Sequence, residues 1–353
     1  MSHSVHMLKK IVLVCSGAFL ALLLFAPIVE ITDSNDYNIT HIDHSSGLPL
    51  YFLHHKVHES VGCFDNDAQI NNLGFHGPEV PLKKEKNVYR IVVVGSSYVE
   101  ARQVSVDEMF TTQLEQKLNA DPNRPFTYQV IPLGFNGNST LLAALYYKYY
   151  GSPLHPDLVI DIESGYELLF HLDTAPLDKN GQAILVVPKT HESALRSLLR
   201  HSKLLVNLYN RLLVAKDASI TFFHAPLLSM SPPATAVPNE KNEQQRWEAK
   251  SPLVDAMAHM VSADRAKLLY ATFTGGAGEP AGTDEELSMH FTELAKKDSF
   301  IYYNLTRAIK AKEVQTGKQA YFLPCDGHWS AAGHEYVADA LYDYLLQNGV
   351  LNK

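Results

Sequence analysis

The hydrophobic pattern of the chain changes character at residue 89. From there, apolar runs bounded by turn residues alternate with segments of helical period. Residues 89–94 contain the run Ile91-Val92-Val93-Val94, as expected of a strand buried on both faces of a parallel sheet. Residues 127–133, 158–162, 267–273 and 300–303 read as four further strands, the second of these introduced by Pro156-Asp157. Between them, residues 106–118 set Met109, Phe110, Leu114 and Leu118 on one helical face, and residues 141–150 read as a second helix. Residues 331–346 predict a closing helix with Val337, Leu341, Tyr344 and Leu345 on its buried side. Strands alternating with helices predict an α/β chain, its parallel sheet covered on both faces.

Three stretches depart from this rhythm. Residues 30–88 show no strong period and carry the turn signals Asn71-Asn72-Leu73-Gly74-Phe75 and Gly77-Pro78. They predict a loop-rich lead-in lying over the main domain. Residues 170–265 interrupt the alternation. Residues 195–213 read as one or two amphipathic helices, and Ser231-Pro232-Pro233 opens a loop that runs to Asn239. Three readings stay open for this insertion: a cap or substrate-selecting lobe, a helical layer on the sheet, or a docking lobe for an envelope protein partner. Residues 11–29 are apolar and uncharged and follow Lys9 and Lys10. A run of this length spans a bilayer as a helix, and the lysines keep its start cytoplasmic. The alternative is a cleaved signal. The run is long for one, and its exit, Phe25-Ala26-Pro27, lacks a small-x-small site. The expectation is an uncleaved single-pass anchor with the rest of the chain extracytoplasmic, which is periplasmic in a Gram-negative cell.

Composition narrows the function classes. Of the 353 residues, 46% are hydrophobic and 19% charged, which is globular rather than disordered. A net charge of −8 without a basic cluster argues against a nucleic-acid partner. The 17 histidines lack zinc-ligand spacing, so neither a metal nor a cofactor is expected. Of the three cysteines, Cys15 lies in the apolar run. Cys63 and Cys325 would face an oxidising compartment, either joined beside Asp326 or as two buried thiols.

The candidate chemistry falls on strand ends, where ligands of open parallel sheets bind. Gly95-Ser96-Ser97 follows the first strand, Gly134-Phe135-Asn136-Gly137-Asn138 the second, and Asp326-Gly327-His328 the fifth. A serine hydroxyl needs a base to become a nucleophile. His328 suits that task, with Asp326 to orient it. An oxyanion needs preorganised donors. The Ser97 N–H at the mouth of a helix is one, and Gly137, with no side chain to block approach, is another.

Taken together these blocks resemble the SGNH/GDSL hydrolase superfamily. IVVVGSSYVEARQV over 91–104 is similar to its first block, VIPLGFNGNST over 130–140 to the second, PDLVIDIESGYEL over 156–168 to the third and YFLPCDGHWSAAGHEYVADAL over 321–341 to the last. The Asp-x-His-Trp form of the last block is similar to that of membrane-linked, alginate-acetylation SGNH proteins. NNLGFHG over 71–77 resembles a lead-in to this domain. The resemblance implies a flavodoxin-like parallel sheet over 89–349. It also implies Ser97, rather than Ser96, as nucleophile with His328 and Asp326, and an oxyanion hole from Ser97, Gly137 and the residue at Tyr166. Three positions depart from the pattern. Ser96 stands at the first-block Asp, Pro132 at the second-block Asn, and Tyr166 at the third-block Asn that donates to the oxyanion in many members.

The expected activity is hydrolysis of an ester, by resemblance an O-acyl group on a cell-envelope glycan. Transfer of that acyl group to a sugar hydroxyl is the related alternative. A non-catalytic glycan-binding or assembly component is the alternative of a different class, which the three departures favour and the intact Ser97, Asp326 and His328 oppose. Trp329 reads as core or pocket wall, with stacking on a sugar as the sharper option. The cluster Tyr146-Tyr147-Lys148-Tyr149-Tyr150 reads as helix packing or as a carbohydrate surface.

Overall fold

The structure is a computed structural model of the chain. It describes residues 40–122, 124–137, 139–165, 175–187, 240–275, 282–316 and 321–352, together with His6, Lys10, Leu13, Ser16 and Gly17; for residues 240–243, 313 and 316 it describes the backbone alone. Two compact units are distinguished, Met1–Ile39 with Lys189–Pro233 and Thr40–Pro188 with Ala234–Lys353. The fold below belongs to the second. Among the described residues no helix is long and apolar enough to cross a membrane. The apolar run 11–29 lies almost wholly outside them, as do the helices expected over 195–213.

The core is a five-stranded sheet of β5 (Val88–Gly95), β6 (Thr127–Gly134), β7 (Leu158–Ser164), β8 (Lys267–Phe273) and β9 (Ile301–Asn304). Its order is β6-β5-β7-β8-β9, and every pairing is parallel. This is the flavodoxin-like order, whose switch point lies between the first and third strands, here β5 and β7. Every residue of β5 and β7 is buried, which is why Ile91–Val94 and Leu158–Ile160 read as apolar runs; the buried polar residues Arg90, Asp161 and Glu163 interrupt them. Pro132 is tolerated in β6 because β6 is an edge strand and Pro has no N–H to lose there.

Helices close both faces. On one, α2 (Phe110–Asn119), α6 (Leu305–Thr316) and α7 (Ala331–Gln347) bury Phe110, Leu114, Leu305, Ile309, Val337 and Leu341 against Ile91, Val93 and Ile160. On the other lie α3 (Thr140–Tyr146), α4 (Glu240–Ala263) and α5 (Thr283–Asp298). The helix expected over 141–150 ends at Tyr146 and continues as a π turn, Tyr147–Gly151, and a short 3-10 turn. The last quarter of the 170–265 interruption is α4. It packs on α3, α5 and β8, so this part is the helical layer on the sheet. Its period is hidden in the sequence because Arg246 and Lys250 are buried along with Trp247, Leu253, Val254, Met257 and Val261.

The lead-in is more ordered than its composition suggests. Its described part contains two antiparallel hairpins, β1 (Thr40–Ile42) with β2 (Pro49–Tyr51) and β3 (Lys56–Val61) with β4 (Phe64–Gln69). Asn71 is fully buried and builds the turn that follows. Its Oδ1 accepts from Leu73 N at 2.9 Å and Phe75 N at 3.2 Å, and its Nδ2 donates to Pro78 O at 3.1 Å. The tyrosine cluster holds the lead-in down. Tyr146 and Tyr147 are buried, and Tyr146 donates to Pro49 O at 2.7 Å and Tyr150 to Asp43 at 2.9 Å. Arg90, fully buried within β5, ties the other end of the lead-in through Pro81 O at 2.7 Å and also donates to Leu154 O, in the turn before β7, at 2.7 Å. Cys63, at the tip of β3–β4, is joined to Cys325 in a disulfide with Cα atoms 5.8 Å apart.

That crosslink closes a loop of 262 residues, so its removal relaxes a large part of the unfolded chain. Replacing both cysteines by serine is expected to cost about 3–5 kcal/mol of stability, read from denaturant midpoints under oxidising conditions. A midpoint unchanged from wild type would show that the pair is not joined in solution. A pH dependence follows from two buried histidines. Desolvation drives His76 down to about 4 and His334 down to about 3. In the unfolded chain both bind a proton near pH 6.5. The unfolded state therefore holds more protons over the interval between, and stability falls as pH drops from 6.5 towards 4. His76 alone accounts for roughly 3 kcal/mol of that loss. A stability profile flat across this interval, measured by denaturation at each pH, would contradict neutral burial.

Candidate active site

The turn that carries Ser97 is built by two glycines. After β5, Gly95 gives way to Ser96 and the one-turn helix α1 (Ser97–Glu100), which ends at Ala101 in the left-handed conformation with its N–H on Ser97 O at 2.8 Å. A Cβ at Gly95 would stand 2.7 Å from Ile162 O of β7. A Cβ at Gly134, the last residue of β6, would run into the backbone of Val99 and Glu100. The turn is therefore wedged between the ends of β6 and β7, at the switch point. Ser97 N–H, the first of α1, has no acceptor within the helix. Ser96 is buried, and its hydroxyl has no partner among the described residues.

The second half of the site comes from the loop before α7. Phe322 bridges to Trp329, Leu323 N donates to His328 O at 2.7 Å, and Gly327 N donates to Leu323 O at 2.9 Å. Gly327 takes a φ of 78° to close this turn. Trp329, 1% exposed, plugs into the core against Tyr98, Phe273 and Phe110. It is core, and its burial leaves no face for a sugar. Gly333 lets α7 approach closely, since a Cβ there would meet Tyr321 O.

These two halves meet across 231 residues of sequence. Ser97 Oγ lies 2.7 Å from His328 Nε2, and His328 Nδ1 lies 2.7 Å from Asp326 Oδ2. The rings and carboxylate are about one-fifth to one-quarter exposed, and Ser97 is 9% exposed. The His328 hydrogen bond holds the Asp326 carboxyl below its ordinary range, against the opposing effect of partial burial; a hydrogen bond from Gln103 and the charge of Arg102 pull the same way. Tyr98, which the motif reading passes over, joins the halves. Its hydroxyl donates to Gly327 O at 3.0 Å and its ring lies 4.8 Å from that of His328. Its place beside Ser97 in sequence was the available signal.

Of the positions expected to hold an oxyanion, Gly137 occupies the turn after β6 at a φ of 68°, exposed and with open space where a Cβ would be. Tyr166 lies outside the described residues. Among the described residues no cluster of His, Cys, Asp or Glu has the form of a metal site.

No protein-family model and no curated protein matches the sequence. Among solved structures the chain is similar to TesA (13% identity, 72% of this chain and 97% of that one, TM-score 0.41). It is similar to a lipase/acylhydrolase from Enterococcus faecalis (12% identity, 74% and 96%, TM-score 0.43). It is also similar to a lipolytic protein of the G-D-S-L family from Veillonella parvula (9% identity, 73% and 98%, TM-score 0.39).

The wedge at Gly134 yields a direct test of how the turn is held. Gly134→Ala is expected to push α1 away from β6, costing about 3 kcal/mol of stability and displacing Ser97. Thermal melting and reactivity of Ser97 towards a fluorophosphonate check it; a variant equal to wild type in both would show that α1 does not rest on Gly134.

Proposed function

We propose that the protein is a serine ester hydrolase of SGNH type. The reading is carried by one observation, the hydrogen-bonded series Ser97–His328–Asp326 at the carboxyl end of a flavodoxin-like sheet, with both links at 2.7 Å. With His328 Nδ1 carrying its proton towards Asp326, Nε2 is left to accept from the serine hydroxyl. Ser97 Oγ attacks the ester carbonyl carbon as its proton passes to Nε2. The Ser97 N–H and Gly137 N–H receive the negative charge on the carbonyl oxygen. The C–O bond to the leaving group breaks, and His328 returns the proton to that oxygen. Water then enters by the reverse route: His328 takes its proton, hydroxide oxygen attacks the acyl-enzyme, and the acid leaves with Ser97 restored. Asp326 stays ionised throughout and stabilises the imidazolium.

Motif likeness suggests the substrate class, an O-acyl group on a cell-envelope glycan. The apolar run 11–29 suggests that the domain works from a membrane anchor outside the cytoplasm, alone or beside an envelope protein partner. Transfer to a sugar hydroxyl would use the same steps with that hydroxyl in place of water.

Ser97→Ala is expected to abolish both fluorophosphonate labelling and hydrolysis of p-nitrophenyl acetate while leaving the circular dichroism spectrum unchanged. Asp326→Asn is expected to keep the fold and lower kcat by about 10³–10⁴-fold. Wild-type protein that is folded, unlabelled and inert, yet binds acylated glycan, would replace the enzyme by a binding component.

A further inference from the structure

Ser97 and His328 come from distant stretches of the chain, and each reaches the site on its own element. Ser97 opens α1, whose place is set by the ends of β6 and β7. His328 lies in a turn that closes on itself, with Leu323 N on His328 O at 2.7 Å and Gly327 N on Leu323 O at 2.9 Å. The 2.7 Å link from Oγ to Nε2 works only if the two elements are held in step to within about half an ångström.

A contact outside the reacting pair crosses from α1 to that turn, and it comes from the residue after the serine. Tyr98 donates from its hydroxyl to Gly327 O at 3.0 Å. That carbonyl belongs to the peptide that enters His328, as His328 O belongs to the peptide that leaves it. Tyr98 holds the first plane and Leu323 N the second. Fixing the planes on both sides of a Cα fixes the direction of its Cβ. The Tyr98 ring lies 4.8 Å from the imidazole, tilted by 42°, and walls one side of it. The ring is held in turn: Phe273, at the end of β8, meets it in a T at 4.6 Å and Trp329 in a T at 5.0 Å. A phenyl ring would make every one of these packing contacts. The hydroxyl adds nothing to them, and its acceptor is the backbone of His328's own turn.

We propose that Tyr98 is a positioning residue for His328: its hydroxyl sets the peptide before His328 and its ring sets the tilt of the imidazole. Nε2 then stays on the Ser97 hydroxyl while the proton passes to it and returns. The residue covalently joined to Ser97 thereby places the group that activates Ser97, and a shift of α1 carries both reacting atoms together. This inference rests on the serine-hydrolase reading.

The test uses the full chain, with p-nitrophenyl acetate kinetics, thermal melting and one-dimensional proton NMR of the low-field region. Tyr98→Phe keeps the ring and removes the hydroxyl. It is expected to lower kcat about 10–100-fold, with KM held within about twofold and the melting temperature little changed. It is also expected to broaden away the low-field resonance of the His328 Nδ1–H proton. Tyr98→4-aminophenylalanine, which returns an N–H donor to the same place, is expected to recover the resonance and most of kcat. Should Tyr98→Phe fail to fold, this second variant carries the test: folded but without the resonance and with kcat lost, it overturns the proposal. A purely structural role would have Tyr98→Phe lower the melting temperature and leave kcat and the resonance as in wild type, which overturns it too. If wild type itself neither hydrolyses the ester nor labels with a fluorophosphonate, the serine-hydrolase reading falls and takes this one with it. An active wild type matched by Tyr98→Phe in kcat and resonance leaves that reading standing and removes Tyr98 from it.

Discussion

The parallel register of β5 with its two neighbours is the constraint on which the site depends. Gly95 pairs with Gly134 on one side and with Ile162 on the other, so β5 and β6 finish level while β7 runs on to Ser164. A slip of one residue in β6 would turn its side chains to the opposite faces. It would also bring Leu133 under α1, where the backbone of Val99 and Glu100 leaves no space for a Cβ. Register is fixed in turn by burial: β5 and β7 have no exposed position to slip onto. The place of the serine is thus decided by packing two layers below it.

The two faces of the sheet are closed by different physics near the site. Under α2, α6 and α7 the cover is apolar, and Trp329 with its aromatic neighbours seals it. Under α3 and α4 buried charge crosses between layers. Lys250, 1% exposed, donates from Nζ to Thr140 Oγ1 at 3.2 Å, and that hydroxyl donates to Glu163 Oε2 of β7 at 3.2 Å. A buried ion pair stabilises only when its hydrogen bonds are filled, and removing one member strands the other. Such ties favour one arrangement of α3, and with it the turn that carries Gly137.

Much of this was legible. The central strands announced themselves because burial on both faces leaves short apolar runs, Ile91–Val94 and Leu158–Ile160, and α7 because its buried stripe is mostly hydrophobic. Ser97 was separable from Ser96 only by motif likeness, since both follow the same strand. The structure distinguishes them physically, giving one a partner in His328 and the other none among the described residues. What stayed hidden shares a cause. The stripe of α4 contains Arg246 and Lys250, and the hairpins of the lead-in contain Glu59 and Asn66. Each is a polar side chain doing a buried task, and hydrophobic pattern is blind to these. Their partners lie far away in sequence, so no local spacing betrays them.

The meeting of Ser97 with His328 over 231 residues has a consequence for the life of the chain. His328 arrives with Trp329 and α7, which also complete the apolar core through Val337, Leu341 and Leu345. One stretch of polypeptide thus both places His328 beside Ser97 and closes the core. A change that loosens Trp329 or α7 would be felt at both at once, so the pairing of the two side chains cannot outlast the packing around them.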